Sequence, residues 1–88
     1  MLNYKECSKD AFDRAMKQKG EDVSKISDED LYILYTKFMA DARQAFSFGS
    51  TYASGIGRQS QRKADAYKAE LLRRGRQLWR DVKGGSKK

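Results

Sequence analysis

Apolar residues recur in this chain at intervals of three and four, in three separate stretches. Nowhere do they alternate with polar residues over five or more positions. Three-four spacing is the signature of a helix face and strict alternation that of a strand. No proline occurs in the 88 residues, so nothing categorically stops a helix. The expectation is an all-α fold of about three helices, in one domain over 1–83 with a disordered basic tail, GGSKK, over 84–88.

The first stretch covers roughly 3–19. Tyr4, Cys7, Ala11, Phe12, Ala15 and Met16 share one face. Asn3 with Glu6 fits an N-cap and its partner, and Ser8 is an alternative start. Gly20 stands where a left-handed C-terminal residue is expected. The second stretch, 27–47, has the plainest start signal: Ser27 as N-cap, followed by Asp28, Glu29 and Asp30. Ile26 and Leu31 fit a hydrophobic staple across that cap. The apolar face runs from Leu31 through Leu34, Tyr35, Phe38, Met39, Ala42 and Ala45 to Phe46. The third stretch, 60–83, carries Ala64, Tyr67, Leu71, Leu78 and Val82, with Leu72 and Trp79 on the flank. Gly75 lies on that stripe and is expected to admit a neighbouring helix at about 1 kcal/mol in propensity.

Between the second and third stretches lies a Gly/Ser-rich connection, 48–59, within GSTYASGIGRQSQRK. It has three readings. The favoured one is a loop ending at a Ser60 N-cap, with Arg58, Arg62 and Lys63 crowded at the positive end of the helix, where they make sense if a phosphate binds. In the second, the segment is partly helical, and Gly49, Ala53 and Gly57 are small residues four apart that let a neighbour approach. In the third, it is a hinge that orders on a partner, with Tyr52 and Ile56 as contact points. Gly55-Ile56-Gly57 alone is a weak phosphate-loop signal. A connection this long also exceeds the 3–4-residue turn of a helix-turn-helix.

Histidine is absent and Cys7 is the only cysteine. This removes Cys/His zinc sites and most triad arrangements, and no cofactor or enzymatic activity is expected. Cys7 reads as a small apolar residue on a helix face. The three carboxylates after Ser27 are explained by helix N-terminal electrostatics. No apolar run reaches the length of a membrane span, and no apolar leader opens the chain. A soluble cytoplasmic protein is expected, in the host-cell cytoplasm if it comes from a mobile element. A core this small makes a homodimer an ordinary way to bury more surface.

Charge is unevenly placed. Residues 1–57 hold 8 cations against 9 acids, while 58–88 hold 11 against 3. From Leu71 to Lys88, Asp81 is the only acid except the chain end, against seven Lys and Arg. Arg73, Arg76, Arg80 and Lys83 recur at helical spacing, with Arg74 beside them. Arginine grips phosphate in a two-pronged geometry that lysine cannot reproduce. The leading expectation is a nucleic-acid-binding protein that sets Arg73, Arg74, Arg76, Arg80 and Lys83 on the phosphate backbone, with Arg58, Arg62 and Lys63 as a second cluster. The alternative is a small adaptor or inhibitor whose basic helix grips an acidic protein surface, anchored by Tyr52, Ile56 and Trp79. For Trp79 itself, core packing is the stronger expectation.

Overall fold

The computed structural model describes residues 2–49 and 51–75, apart from the side chain of Tyr52. These form α1 (Lys9–Lys17), a 3₁₀ turn (Val23–Lys25), α2 (Asp28–Ser47) and α3 (Thr51–Arg73). There is no strand among them.

Two caps set the entry to α1. The Asn3 side chain accepts hydrogen bonds from the Lys5 and Glu6 amides, at 2.9 and 3.0 Å, and so closes a separate turn. The helix proper starts at Ser8, whose hydroxyl accepts from the Ala11 amide at 3.1 Å. Ser8, rather than Asn3, is therefore the helix cap. Gly20 does not terminate α1 either. The helix ends at Lys17 with Gln18 as its cap, and Gly20 has no positive φ.

Helix α2 follows its sequence signals closely. The Ser27 hydroxyl accepts from the Asp30 amide at 3.2 Å, and Ile26 and Leu31 are both buried around the cap. At the other end Gly49, at φ 73°, donates to the Phe46 carbonyl and turns the chain out of the helix. Only a residue without Cβ takes that conformation readily.

Over 48–59 the loop reading is overturned and the partly helical one holds, from Thr51 onward. Helix α3 begins at Thr51, only three residues beyond α2, and Ser60 sits mid-helix instead of capping it. The physical reason is at Gly57. A Cβ built there would lie 2.8 Å from the Phe46 ring, so the missing side chain lets that ring lie on the α3 backbone. Ala53 and Ala64 are buried on the same face. Packing against α2 outweighs the poor helix propensity of glycine.

The helices run antiparallel. Pairings proceed from Phe46 with Gly57, through Met39 with Gln61 and Phe38 with Tyr67, to Asp28 with Arg74. The link is thus as short as that of a helix-turn-helix, but the helices lie alongside one another instead of crossing steeply. Gly75 corrects another expectation. It has φ 80°, its amide donates to the Leu72 carbonyl, and a Cβ there would meet nothing within 4 Å. It ends the described helix and makes no close contact with another described helix.

The core joins Ala15 of α1, Ile26, Leu31, Ile33, Leu34 and Tyr35 of α2 and its entry, and Ala64, Tyr67 and Leu71 of α3. The Tyr67 hydroxyl donates to the Lys19 carbonyl at 2.9 Å and ties α3 to the end of α1.

Candidate functional site

The expected cationic residues fall into separate groups. Arg58, Arg62 and Lys63 are exposed on α3 and make no ion pair with any described residue. They lie well inside the helix, so the argument from the positive helix end no longer applies. The Lys63 ammonium sits 6.0 Å from the centre of the Phe38 ring, within cation–π range. Helical geometry puts Arg58, Arg62, Ala66, Ala69 and Arg73 in one row on the outward side of α3.

Arg73 and Arg74 are bound within the molecule. Glu70 is buried, and its carboxylate accepts from Arg73 Nε at 2.9 Å and from Arg74 Nε at 2.8 Å. Hydrogen bonds from Arg73, and then from Arg74, hold this carboxyl down to about 2, against the opposing effect of burial. Arg73 still leaves 66% of its side chain open to solvent. Arg74 leaves only 20% and reaches further, to Asp28 Oδ1 at 2.7 Å and to the Val23 carbonyl at 3.0 Å. Arg74 is therefore a clasp between the end of α3 and the start of α2, not a free phosphate ligand.

A second clasp works from α1. Arg14 donates through Nε and Nη2 to the buried Asp30, at 3.0 and 2.8 Å, and through Nη2 to Glu29 at 3.2 Å. Gln18 also donates to Asp30. The acidic first turn of α2 is thus more than a match for the helix dipole: all three of its carboxylates bind other elements, Asp28 the end of α3 and Glu29 and Asp30 α1. Among the described residues, no group of three or more His, Cys, Asp or Glu could hold a metal ion. No described helix is long and apolar enough to cross a membrane.

The expected partner anchors divide similarly. Ile56 is 42% exposed and Phe48 70% exposed. They border an apolar groove of about 440 Å³ at the tip of the hairpin, floored by Ala45 and Ala53. Tyr52 belongs to the first turn of α3. Arg76, Arg80, Lys83 and Trp79 lie outside the described residues, as does the expected 76–83 part of the third helix.

Sequence reading passed over one concave feature. A cleft of about 380 Å³ lies between the segment Asn3–Lys5 and the flank of α2, walled by Tyr4, Tyr32 and Tyr35, with Lys5 and Arg43 also on its lining. The spacing of Tyr32, Thr36, Met39 and Arg43 marks a helical row in the sequence. That Tyr4 closes this row, 32 residues from Thr36, is visible only in three dimensions.

Compared with known proteins, the chain matches no family model, no curated protein and no solved structure.

Proposed function

We propose that this protein binds nucleic acid through the outward row of α3, with Arg58, Arg62 and the adjoining Lys63 on phosphates and the open part of Arg73 at the far end. The observation that carries this reading is the absence of any ion-pair partner for Arg58, Arg62 and Lys63 among the described residues, in a molecule that pairs Arg14, Arg73 and Arg74 internally. Arginines that pair with no carboxylate keep their full donor set for an external anion, and Asp65, the acid three residues from Arg62, accepts from Gln61 instead. Ala66 and Ala69 between the cations leave the helix surface low, so a polyanion can lie close along it. From Arg58 to Arg73 the row spans about 22 Å. The excess of cations over acids in residues 58–88 supports the same reading. Such contacts give affinity and register, not base sequence. An intracellular location follows from this reading.

The test is fluorescence anisotropy with labelled oligonucleotides at several salt concentrations, comparing the wild type with Arg58→Ala/Arg62→Ala. Loss of two phosphate contacts flattens the log–log salt slope by about 1.8 on duplex DNA or about 1.4 on a single strand. No binding by the wild type at low salt, or an unchanged slope in the variant, overturns the proposal.

A second reading rests on the tip groove. Phe48 and Ile56, exposed beside it, suit an adaptor or inhibitor that docks on another protein or on a second copy of itself. Phe48→Ser then abolishes partner capture and leaves oligonucleotide affinity unchanged. Sedimentation distinguishes a homodimer from a complex with a different protein.

A further inference from the structure

The cleft between Asn3–Lys5 and α2 combines four properties. First, it is built in advance. The Tyr4 amide donates to the Thr36 hydroxyl at 3.1 Å, and the Asn3 side chain holds the turn that follows. The Thr36 hydroxyl is itself anchored to the Tyr32 and Ile33 carbonyls at 3.0 Å. Second, it is aromatic. Tyr4, Tyr32 and Tyr35 all line it, and the Tyr32 and Tyr35 rings are 6.2 Å apart at 44°. Third, the two charged residues on its lining are both cations, although the Asp65 carboxylate of α3 is near enough to act on Tyr35. Lys5 and Arg43 line it and no carboxylate does, and Arg43 makes no ion pair with a described residue. Fourth, it presents a hydroxyl that bonds to no described residue. Tyr35 is only 9% exposed, yet its hydroxyl receives no hydrogen bond from a described residue and donates none. Burial pushes this phenol up, with Tyr32 and Asp65 adding to the shift and Arg43 opposing it. A phenol on a cleft wall that bonds to no described residue keeps both its donor and its acceptor for a ligand.

A volume of about 380 Å³ suits a group the size of one nucleotide. Flat rings on its walls, neutral hydrogen-bonding groups within and cations on its lining match a base with its flanking phosphates. The Gln61 side chain, in α3, donates to the Met39 sulfur at 3.5 Å. Met39 lines the cleft, and Gln61 stands next to Arg62 in α3. The cleft therefore adjoins the flank of α3 that carries Gln61 and Asp65, about 100° around the helix from Arg62.

We infer that this cleft takes an unpaired nucleobase against Tyr32, with neighbouring phosphates at Lys5 and Arg43, and that the nucleic acid this protein binds is consequently single-stranded. The inference rests on the nucleic-acid reading of α3. In a duplex the bases are stacked inside and cannot enter such a site without being flipped out. Base–aromatic stacking accepts any base, so little sequence preference is expected.

The test compares four labelled oligonucleotides of equal length: single-stranded DNA, single-stranded RNA, a duplex and an abasic single strand. The abasic strand keeps the phosphates and lacks the base. The wild type is expected to bind the intact single strand roughly 5–100-fold more tightly than the abasic one. Tyr32→Leu closes that gap without weakening the abasic complex, while Tyr32→Phe preserves it. The DNA and RNA arms identify the sugar. Equal affinity for intact and abasic strands, with a salt slope still sensitive to Arg58 and Arg62, overturns the cleft and leaves the nucleic-acid reading standing. No binding to any oligonucleotide overturns both. The comparison of strands uses the wild type alone, so it holds even if Tyr32→Leu fails to fold.

Discussion

The two ends of the α2–α3 hairpin are built on opposite principles. At the closed end, where α2 begins and α3 ends, α1 and the 3₁₀ turn cover the helices. Two buried carboxylates, Asp30 and Glu70, are gripped by arginines from other parts of the fold or from the next turn. At the tip, two bare helices meet through Gly57 and the Phe46 ring, and Phe48 and Ile56 face solvent. The closed end holds the molecule together, while Phe48 and Ile56 at the tip and Arg58 and Arg62 on the outward side of α3 stay exposed. The same residue type serves both purposes: Arg74 is spent on the clasp, whereas Arg58 stays open.

The largest contrast comes from truncating one apolar side chain at each end. Leu71 is fully buried, and Leu71→Ala should cost about 2–5 kcal/mol in denaturant melts. Ile56→Ala at the tip should cost less than about 1 kcal/mol. Similar losses would mean that the tip is as firmly packed as the closed end.

Acid should act on the clasp first. Because Glu70 titrates at about 2 in the fold, against an ordinary 4.5, its ion pairs stabilise the protein fully above about pH 4.5. That contribution is lost as pH falls from there toward 2. Glu70→Gln should therefore be less stable than the wild type at neutral pH, by a margin that narrows below pH 4.5. Asp22, also lowered by its hydrogen bonds from Ser24, titrates in both proteins and cancels in the comparison. A margin independent of pH would show that the clasp contributes shape and not charge.

The smallest effect separates two glycines of α3. A Cβ at Gly55 meets nothing within 4 Å, so Gly55→Ala should stabilise by about 0.5–1 kcal/mol through helix propensity. Gly57→Ala should gain less, because the Phe46 ring must swing aside. Equal gains would remove Gly57 as the point of close approach.

The helices of this fold are largely legible in the spacing of Leu31, Leu34, Ala64, Tyr67 and Leu71, and Ser27 marks one start unambiguously. The glycines are not. Gly20, Gly49, Gly57 and Gly75 look alike in a sequence, yet Gly49 and Gly75 end helices, Gly57 sits under a ring and Gly20 does neither. Propensity favours a loop over 48–59, and only the presence of α2 alongside reverses it. Arg74 reads as one more cation of a basic stripe because its partner Asp28 is 46 residues away. The tyrosine cleft is hidden for the same reason, since one wall belongs to the N-terminal turn.

The three-residue link at Phe48–Ser50 also bears on the order in which the chain assembles. Contacts beside it, such as Phe46 with Gly57, close a loop of roughly a dozen residues at small entropic cost. Each later pair adds only a short increment, until Asp28 meets Arg74 last. Loop-closure entropy predicts a hairpin that zips from the tip, starting at Gly57 and Phe46 and closing at the arginine clasp. Changes at the tip should then slow folding, and changes at the clasp should speed unfolding. The residues that contribute least to equilibrium stability would thus set the pace at which the protein forms.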